Sequence, residues 1–279
     1  MQIASAAQAE ELTAARTAKG KVRTLLTGLE NTPGNFVLRY STGEEGEAWT
    51  TPRHRHPFDQ VRYVLEGEYS IGDGSVLPTG WVGYFPESVY YGPQEMSPNL
   101  AMVVLQAGGP NGRGFYSADQ RLKATTALKA AGGSFSNGVY SWTDAHGQAR
   151  STPAGDVVWE NVFGPTELLP ARYNDIILMD PNSFAWLPDP DRPGVARKLL
   201  GAFTERDLRI CLVRLAAGAE YRLGGGEAPE ILFLTSGDVT HDGVQHDRLT
   251  AFATNVDEAP SVLRATADAE FLYLKLPTF

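Results

Sequence analysis

The sequence predicts an all-β protein built from two copies of one sandwich or barrel, and three observations carry that prediction. Short runs rich in β-branched and aromatic residues recur along the chain, among them "VRYVLEGEYSIG", "LAMVVLQAGG", "LRICLVRLAAG", "EILFLTSG" and "AEFLYLKLP". The 29 glycines and 18 prolines fall in short clusters between those runs, where turns are needed. The chain also repeats itself: residues 60–67 read Q-VRYVLE-G and residues 230–237 read E-ILFLTS-G, the same frame 170 residues further on. Each copy then closes on a similar run, "NLAMVVLQAGGP" in the first and "AEFLYLKLPTF" in the second.

In chain order, residues 1–34 read as an N-terminal extension with a helical candidate over 5–18, and residues 35–110 as the first β domain. Residues 111–191 are a connecting segment and residues 192–279 the second β domain. Within the connection, "SADQRLKATTALKAAGG" predicts a helix capped by Ser117 and ended at Gly132–Gly133. The stretch 138–194, which reaches into the first residues of the second β domain, is rich in aromatics and prolines. That composition argues against a flexible linker and predicts a piece packed across the barrels or at a dimer contact.

Bulk composition narrows the function classes. At 279 residues, 42% hydrophobic and 20% charged, the chain is long and apolar enough to bury a substantial core. Its 24 Lys and Arg against 33 Asp and Glu give a net charge of −9, with no basic stripe, so nucleic acid is not an expected partner. The first 20 residues lack a signal-peptide core, and no stretch approaches the roughly 20 apolar residues of a membrane span, so a cytoplasmic location without membrane contact is expected. The single cysteine, Cys211, forms neither an internal disulfide nor a thiolate cluster, and in "LRICLVRL" it reads as core filler. The glycines of "RLGGGEAPE" precede a strand instead of opening a helix. Neither a Walker nor a dinucleotide pattern is present, and there is no G-x-S-x-G.

The chemistry concentrates in "TPRHRHPFDQVRYVLEGE", residues 51–68. Residues two apart on an extended segment share a face, so His54 and His56 can present two imidazoles to one barrel interior. By the same parity Gln60, Arg62 and Val64 point inward, whereas Val61, Tyr63 and Leu65 point outward. An inward arginine is costly unless paired. Arg62 is therefore expected to hold a carboxylate or enolate of a substrate, or else to pair with Glu66.

These residues resemble the cupin superfamily, whose small β-barrels carry a first motif G-x5-H-x-H-x3/4-E-x6-G and a second G-x5-P-x-G-x2-H-x3-N. His54, His56, Gln60 and Gly67 fall on the first frame with Gln in place of Glu, and Ala48 stands where its leading glycine belongs. In the second motif Gly80 and Pro86 match, Ser88 replaces a glycine, Tyr91 replaces the histidine and Glu95 the asparagine. In the second copy Gly218, Gly224, Gly226, Glu230 and Gly237 keep every spacing of the first motif, yet both histidines have become glycines. Ser261 falls opposite Tyr91, with no second motif around it.

The resemblance covers roughly residues 35–108 and 192–279. It implies a bicupin: two double-stranded β-helix, or jelly-roll, barrels with a few short helices, pairing as a homodimer. It also implies one divalent transition metal (Fe, Mn, Ni, Cu or Zn) in the N-terminal barrel on His54 and His56. Gln60 would add a carbonyl oxygen or hold a bound water. Tyr91 would act as a ligand, an acid/base or plain wall. Gln in place of Glu removes a negative charge, which leaves such an ion more electrophilic and more welcoming to an anionic substrate. Likeness to quercetinase-like bicupins makes a dioxygenase-type oxidoreductase acting on a small, anionic or aromatic substrate the leading expectation, with Tyr91 and Arg62 as catalytic candidates. A Lewis-acid isomerase, lyase or hydrolase at the same site is the second reading, and a non-catalytic ligand-binding cupin the third. Trp49, Phe58, Tyr84, Phe85 and Tyr90 are candidate pocket or core aromatics. His146, His241 and His246 read as solvated loop histidines, and the second barrel as structural or a degenerate ligand-binding half.

Overall fold

The computed structural model describes residues 1–11, 21–43, 49–136, 138–166, 168–203 and 206–279. The repeat seen in the sequence is a repeat of topology. In the N-terminal part eight strands follow one another: β1 (Phe36–Thr42), β2 (Trp49–Thr51), β3 (Asp59–Glu66), β4 (Glu68–Gly72), β5 (Ser75–Pro78), β6 (Val82–Phe85), β7 (Gln94–Met96) and β8 (Ala101–Ala107). The C-terminal part has β9 (Leu208–Leu215), β10 (Glu220–Leu223), β11 (Glu230–Ser236), β12 (Val239–His241), β13 (Val244–His246), β14 (Thr250–Thr254), β15 (Ser261–Ala265) and β16 (Ala269–Lys275). The larger N-terminal sheet has the order β6-β3-β8-β1 at its centre, and its C-terminal counterpart β14-β11-β16-β9. The smaller sheets run β2-β7-β4-β5 and β10-β15-β12-β13, element for element the same.

The glycine that closes each repeated run has a backbone reason. Gly67 and Gly237 have φ of +74° and +78°, and a Cβ on either would stand 2.9 Å or less from a backbone carbonyl oxygen, of Asn99 or Asp268. Only glycine meets both demands.

Apolar alternation then fills each barrel. Val64, Tyr69, Phe85, Leu100 and Met102 are buried between the N-terminal sheets. Tyr221, Leu232, Phe252, Leu263 and Phe271 do the same in the C-terminal one, all 3% exposed or less. Each such side chain contributes roughly 1.5–3 kcal/mol of burial. Cys211, on β9, is buried as expected, and burial pushes its thiol up to about 11.

The helix expected over residues 5–18 is not there where the chain is described. Gln2–Ser5 is a strand paired antiparallel with β14, and the next residues turn; residues 12–20 lie outside the described part. Pairing with an open sheet edge overrides the helix preference of an alanine-rich run. The first ten residues, read above as part of an extension, thus belong to the C-terminal compact unit.

Among its described residues the connection holds two α-helices. Helix α1 (Ala118–Ala130) is capped as predicted: Ser117 Oγ accepts from Gln120 N at 3.0 Å, and Gln120 Oε1 accepts from Ser117 N at 2.9 Å. A second, unpredicted helix α2 (Ala154–Phe163) follows a three-stranded sheet of Ser134–Ser136, Val139–Thr143 and Ala149–Pro153. Trp159 of α2, 0% exposed, stacks on Phe58 with ring centroids 5.4 Å apart, so the connection packs on the N-terminal barrel. Among the described residues no helix is long and apolar enough to cross a membrane. His241 and His246 stand on the β12–β13 hairpin instead of in loops, while His146 is exposed in a turn.

Candidate metal and ligand site

His54 and His56 precede β3 on an extended segment that is not itself a regular strand. His54 pairs with Tyr91 in an isolated antiparallel bridge, with both N–H···O distances 3.0 Å. The alternation expected of the segment holds: His54 and His56 turn to a cavity, while Arg53 and Arg55 lie over the exposed Tyr90 ring at 4.9 and 4.7 Å. The two imidazoles are 4.7 Å apart between centroids. His54 Nδ1 lies 2.6 Å from the Pro52 carbonyl, which can only accept, so Nδ1 carries the proton and Nε2 keeps its lone pair. Burial lowers the His54 pKa, the Pro52 bond opposes this, and the charge of Arg62 adds to it. The His56 ring stacks on Phe58 at 4.4 Å.

Gln60 and Arg62 also face the cavity, and Val64 lies in the core beyond them, as strand parity predicts. Gln60 is the hub of a buried polar layer. Its Nε2 donates to the Tyr91 hydroxyl at 2.5 Å, and its Oε1 accepts from Arg62 Nη2 at 3.2 Å and from Gln106 Nε2 at 3.3 Å. Arg39 in turn donates to Gln106 Oε1. The guanidinium of Arg62 sits among the rings of Phe85, Tyr69 and Tyr91, at 4.5, 4.7 and 5.7 Å. It makes no ion pair with Glu66, which is exposed. Tyr91 is buried in the core cluster, and burial pushes its hydroxyl pKa up, against the charge of Arg62.

The cavity measures about 150 Å³. Barrel residues supply one wall. The connection supplies the other, through Tyr116, Arg121 and Thr125 at α1 and Pro153, Gly155 and Val158 at α2. Sequence reasoning missed these residues, and also Gln94 and Gln106. Of the five candidate aromatics, Phe58 lines the cavity, Tyr84 hydrogen-bonds Asp59 at 3.0 Å, and Phe85 packs on Arg62. Trp49's side chain and Ala48 lie outside the described residues.

No protein-family model matches the sequence, and no curated protein does. Solved structures do. A candidate dioxygenase from Nostoc punctiforme aligns over 100% of this chain and 83% of its own, with a TM-score of 0.63 at 11% identity. The fold is that of the cupin β-barrels. A variant of Bacillus subtilis oxalate decarboxylase aligns over 100% of this chain and 78% of its own (TM-score 0.56, 12% identity). The nickel(II) complex of an Escherichia coli pirin aligns over 99% of both chains (TM-score 0.53, 15% identity). At these identities the likeness establishes the cupin fold and leaves the chemistry to the site.

The donor set admits a metal ion in one way. The imidazole pair suits a borderline ion, with the His54 proton fixed on Nδ1 as ligating histidines require. Gln60 Oε1 is turned instead to Arg62 and Gln106, and the Tyr91 hydroxyl to Gln60. Among the described residues no group of three or more His, Cys, Asp or Glu is placed to hold an ion. Two histidines are therefore the protein ligands on offer.

Proposed function

We propose that the N-terminal barrel is a metal-dependent enzyme site for a small organic substrate, with one divalent transition metal held by His54 and His56. The observation that carries this reading is the imidazole pair turned to one cavity, with His54 Nδ1 committed to Pro52. Its cupin neighbours support it: the oxalate decarboxylase is described with Mn(II) centres and the pirin with nickel(II). A metal so held supplies Lewis acidity and, if redox-active, electron transfer.

The chain's own residues do the rest. Phe58, Tyr116 and Phe135 give the cavity an apolar side, and the Gln60 layer fixes donors around it. A dioxygenase-type oxidation is the first reading, supported by the Nostoc neighbour's description. A lyase or isomerase reaction is the second, supported by the decarboxylase. In either case Tyr91, its hydroxyl kept protonated by burial, serves as a fixed polar support to Gln60.

The test is elemental analysis of protein purified without a metal-affinity step, for wild type and the double variant His54→Ala, His56→Ala. About one transition metal per wild-type chain and none in the variant is expected. No metal in wild type after reconstitution with Fe, Mn, Ni, Cu and Zn would sink the reading and leave a ligand-binding barrel. Oxygen uptake during turnover separates the dioxygenase-type reaction from the lyase- or isomerase-type one.

A further inference from the structure

Buried hydrogen-bond donors converge on the cavity from both sheets of the N-terminal barrel. Arg62 stands on β3 in the larger sheet, 6% exposed, and Gln94 opens β7 in the smaller sheet, 1% exposed. Arg62 spends Nη2 on Gln60, but its Nε and Nη1 meet no acceptor among the described residues. Gln94 takes the Thr51 hydroxyl on Oε1 at 3.1 Å, and its Nε2 likewise meets no acceptor. Buried polar atoms are as a rule satisfied, so three unsatisfied donors on two residues that line one cavity ask for a ligand rich in acceptors.

Charge narrows the class. Arg62 and Arg121 line the cavity, and no Asp or Glu is among its described lining residues. The aromatic rings around Arg62 favour a cation there but carry no countercharge. In a low-dielectric site an anion close to that guanidinium is held far more strongly than in water. Shape narrows it further. Phe58, Tyr116, Phe135 and Val158 give the rest of the wall an apolar character, and the volume of about 150 Å³ is near that at which an apolar cavity accepts benzene, roughly 150 Å³.

We infer that the cavity binds a small planar monocarboxylate, its carboxylate toward Arg62 and Gln94 and its apolar body against Phe58, Tyr116 and Val158. The inference names the substrate class for the site proposed above and rests on that cavity being the functional one, but not on a bound metal.

The test is calorimetric titration of the EDTA-treated full-length chain with sodium benzoate, and with benzamide as an uncharged molecule of the same shape. Benzoate is expected to bind the metal-free protein roughly tenfold or more tightly than benzamide, the scale of one charge-assisted hydrogen bond. Arg62→Met should erase that preference, and Gln94→Leu should weaken benzoate several-fold. Equal binding of the two probes by wild type, or no binding of either, would overturn the assignment without bearing on the metal. Benzoate binding that appears only after nickel or manganese is restored would also overturn it, because the carboxylate would then be meeting the ion, and would favour the metal reading. If Arg62→Met fails to fold, the two probes compared on wild type decide alone.

Discussion

Asp59 sits one residue before Gln60 and faces the other way. It is 2% exposed, accepting from Glu87 N at 2.7 Å and from the Tyr84 hydroxyl at 3.0 Å. Two hydrogen bonds do not offset the loss of water: burial raises its pKa to about 7, with the nearby Glu87 adding to the rise and Arg172 opposing it. A carboxyl whose folded pKa lies above its unfolded value binds its proton more tightly when folded. Its contribution is therefore complete below about pH 4 and is lost as pH rises through 7. Asp59→Asn imitates the protonated form, keeping an acceptor for Glu87 N and offering N–H to the Tyr84 oxygen. The variant should lose the part of the pH dependence that Asp59 supplies, on the order of 1 kcal/mol per pH unit between about 4 and 7. Urea unfolding at pH 5 and pH 7.5 reads this directly, and equal slopes in wild type and variant would show that Asp59 does not titrate there.

Helix α2 shows what an element from outside the barrel contributes. Gly155, in its first turn, lies so close to His56 that an added Cβ would stand 3.6 Å from Cε1, an ordinary contact. Gly155→Ala should be tolerated within about 1 kcal/mol. Gly155→Leu carries a larger side chain into the imidazole and the cavity and should weaken benzoate and metal binding roughly tenfold while the fold holds. Wild-type binding by Gly155→Leu would mean that α2 merely covers the barrel. This helix was not legible in the sequence: "AGDVVWENVF" follows a proline, carries three valines of strand character, and has no side-chain cap. Helix α1 was legible because Ser117 and Gln120 write its start locally. His54, His56, Gln60 and Arg62 were legible because spacing and strand parity fix their face. Gln94 and Gln106 were not, because cross-strand pairing over 43 residues (Thr51 with Gln94) and 46 residues (Gln60 with Gln106) leaves no local trace. In the same way Ser117→Ala, which removes the hydroxyl half of the capping box and leaves the backbone N–H bond to Gln120, should cost about 1 kcal/mol in urea unfolding.

At the scale of the whole chain the two repeats carry complementary residues at the positions of the motif that the sequence resembles. The N-terminal barrel has His54 and His56, with Gln60 at the place of that motif's acid. The C-terminal barrel has the acid, Glu230, with Gly224 and Gly226 at the places of that motif's histidines. Both glycines are now tied into the local structure. Gly224 N donates to Glu230 Oε2 at 3.0 Å, and its φ of +92° is one that side chains rarely adopt. A Cβ at Gly224 would stand 2.8 Å from Thr254 Oγ1 and 2.9 Å from Thr254 Cβ, and one at Gly226 would meet Glu230 Oε1 at 3.3 Å. Restoring the histidines in sequence therefore does not restore a site. The double change Gly224→His, Gly226→His should destabilise the protein by about 2 kcal/mol or more through backbone strain and the collision with Thr254. It should add no metal beyond the one proposed for the N-terminal barrel. Urea unfolding and metal titration of the variant check both halves of this expectation. A second equivalent of metal with unchanged stability would mean that the C-terminal barrel is poised for ligation and that strand β14, carrying Thr254, yields to make room.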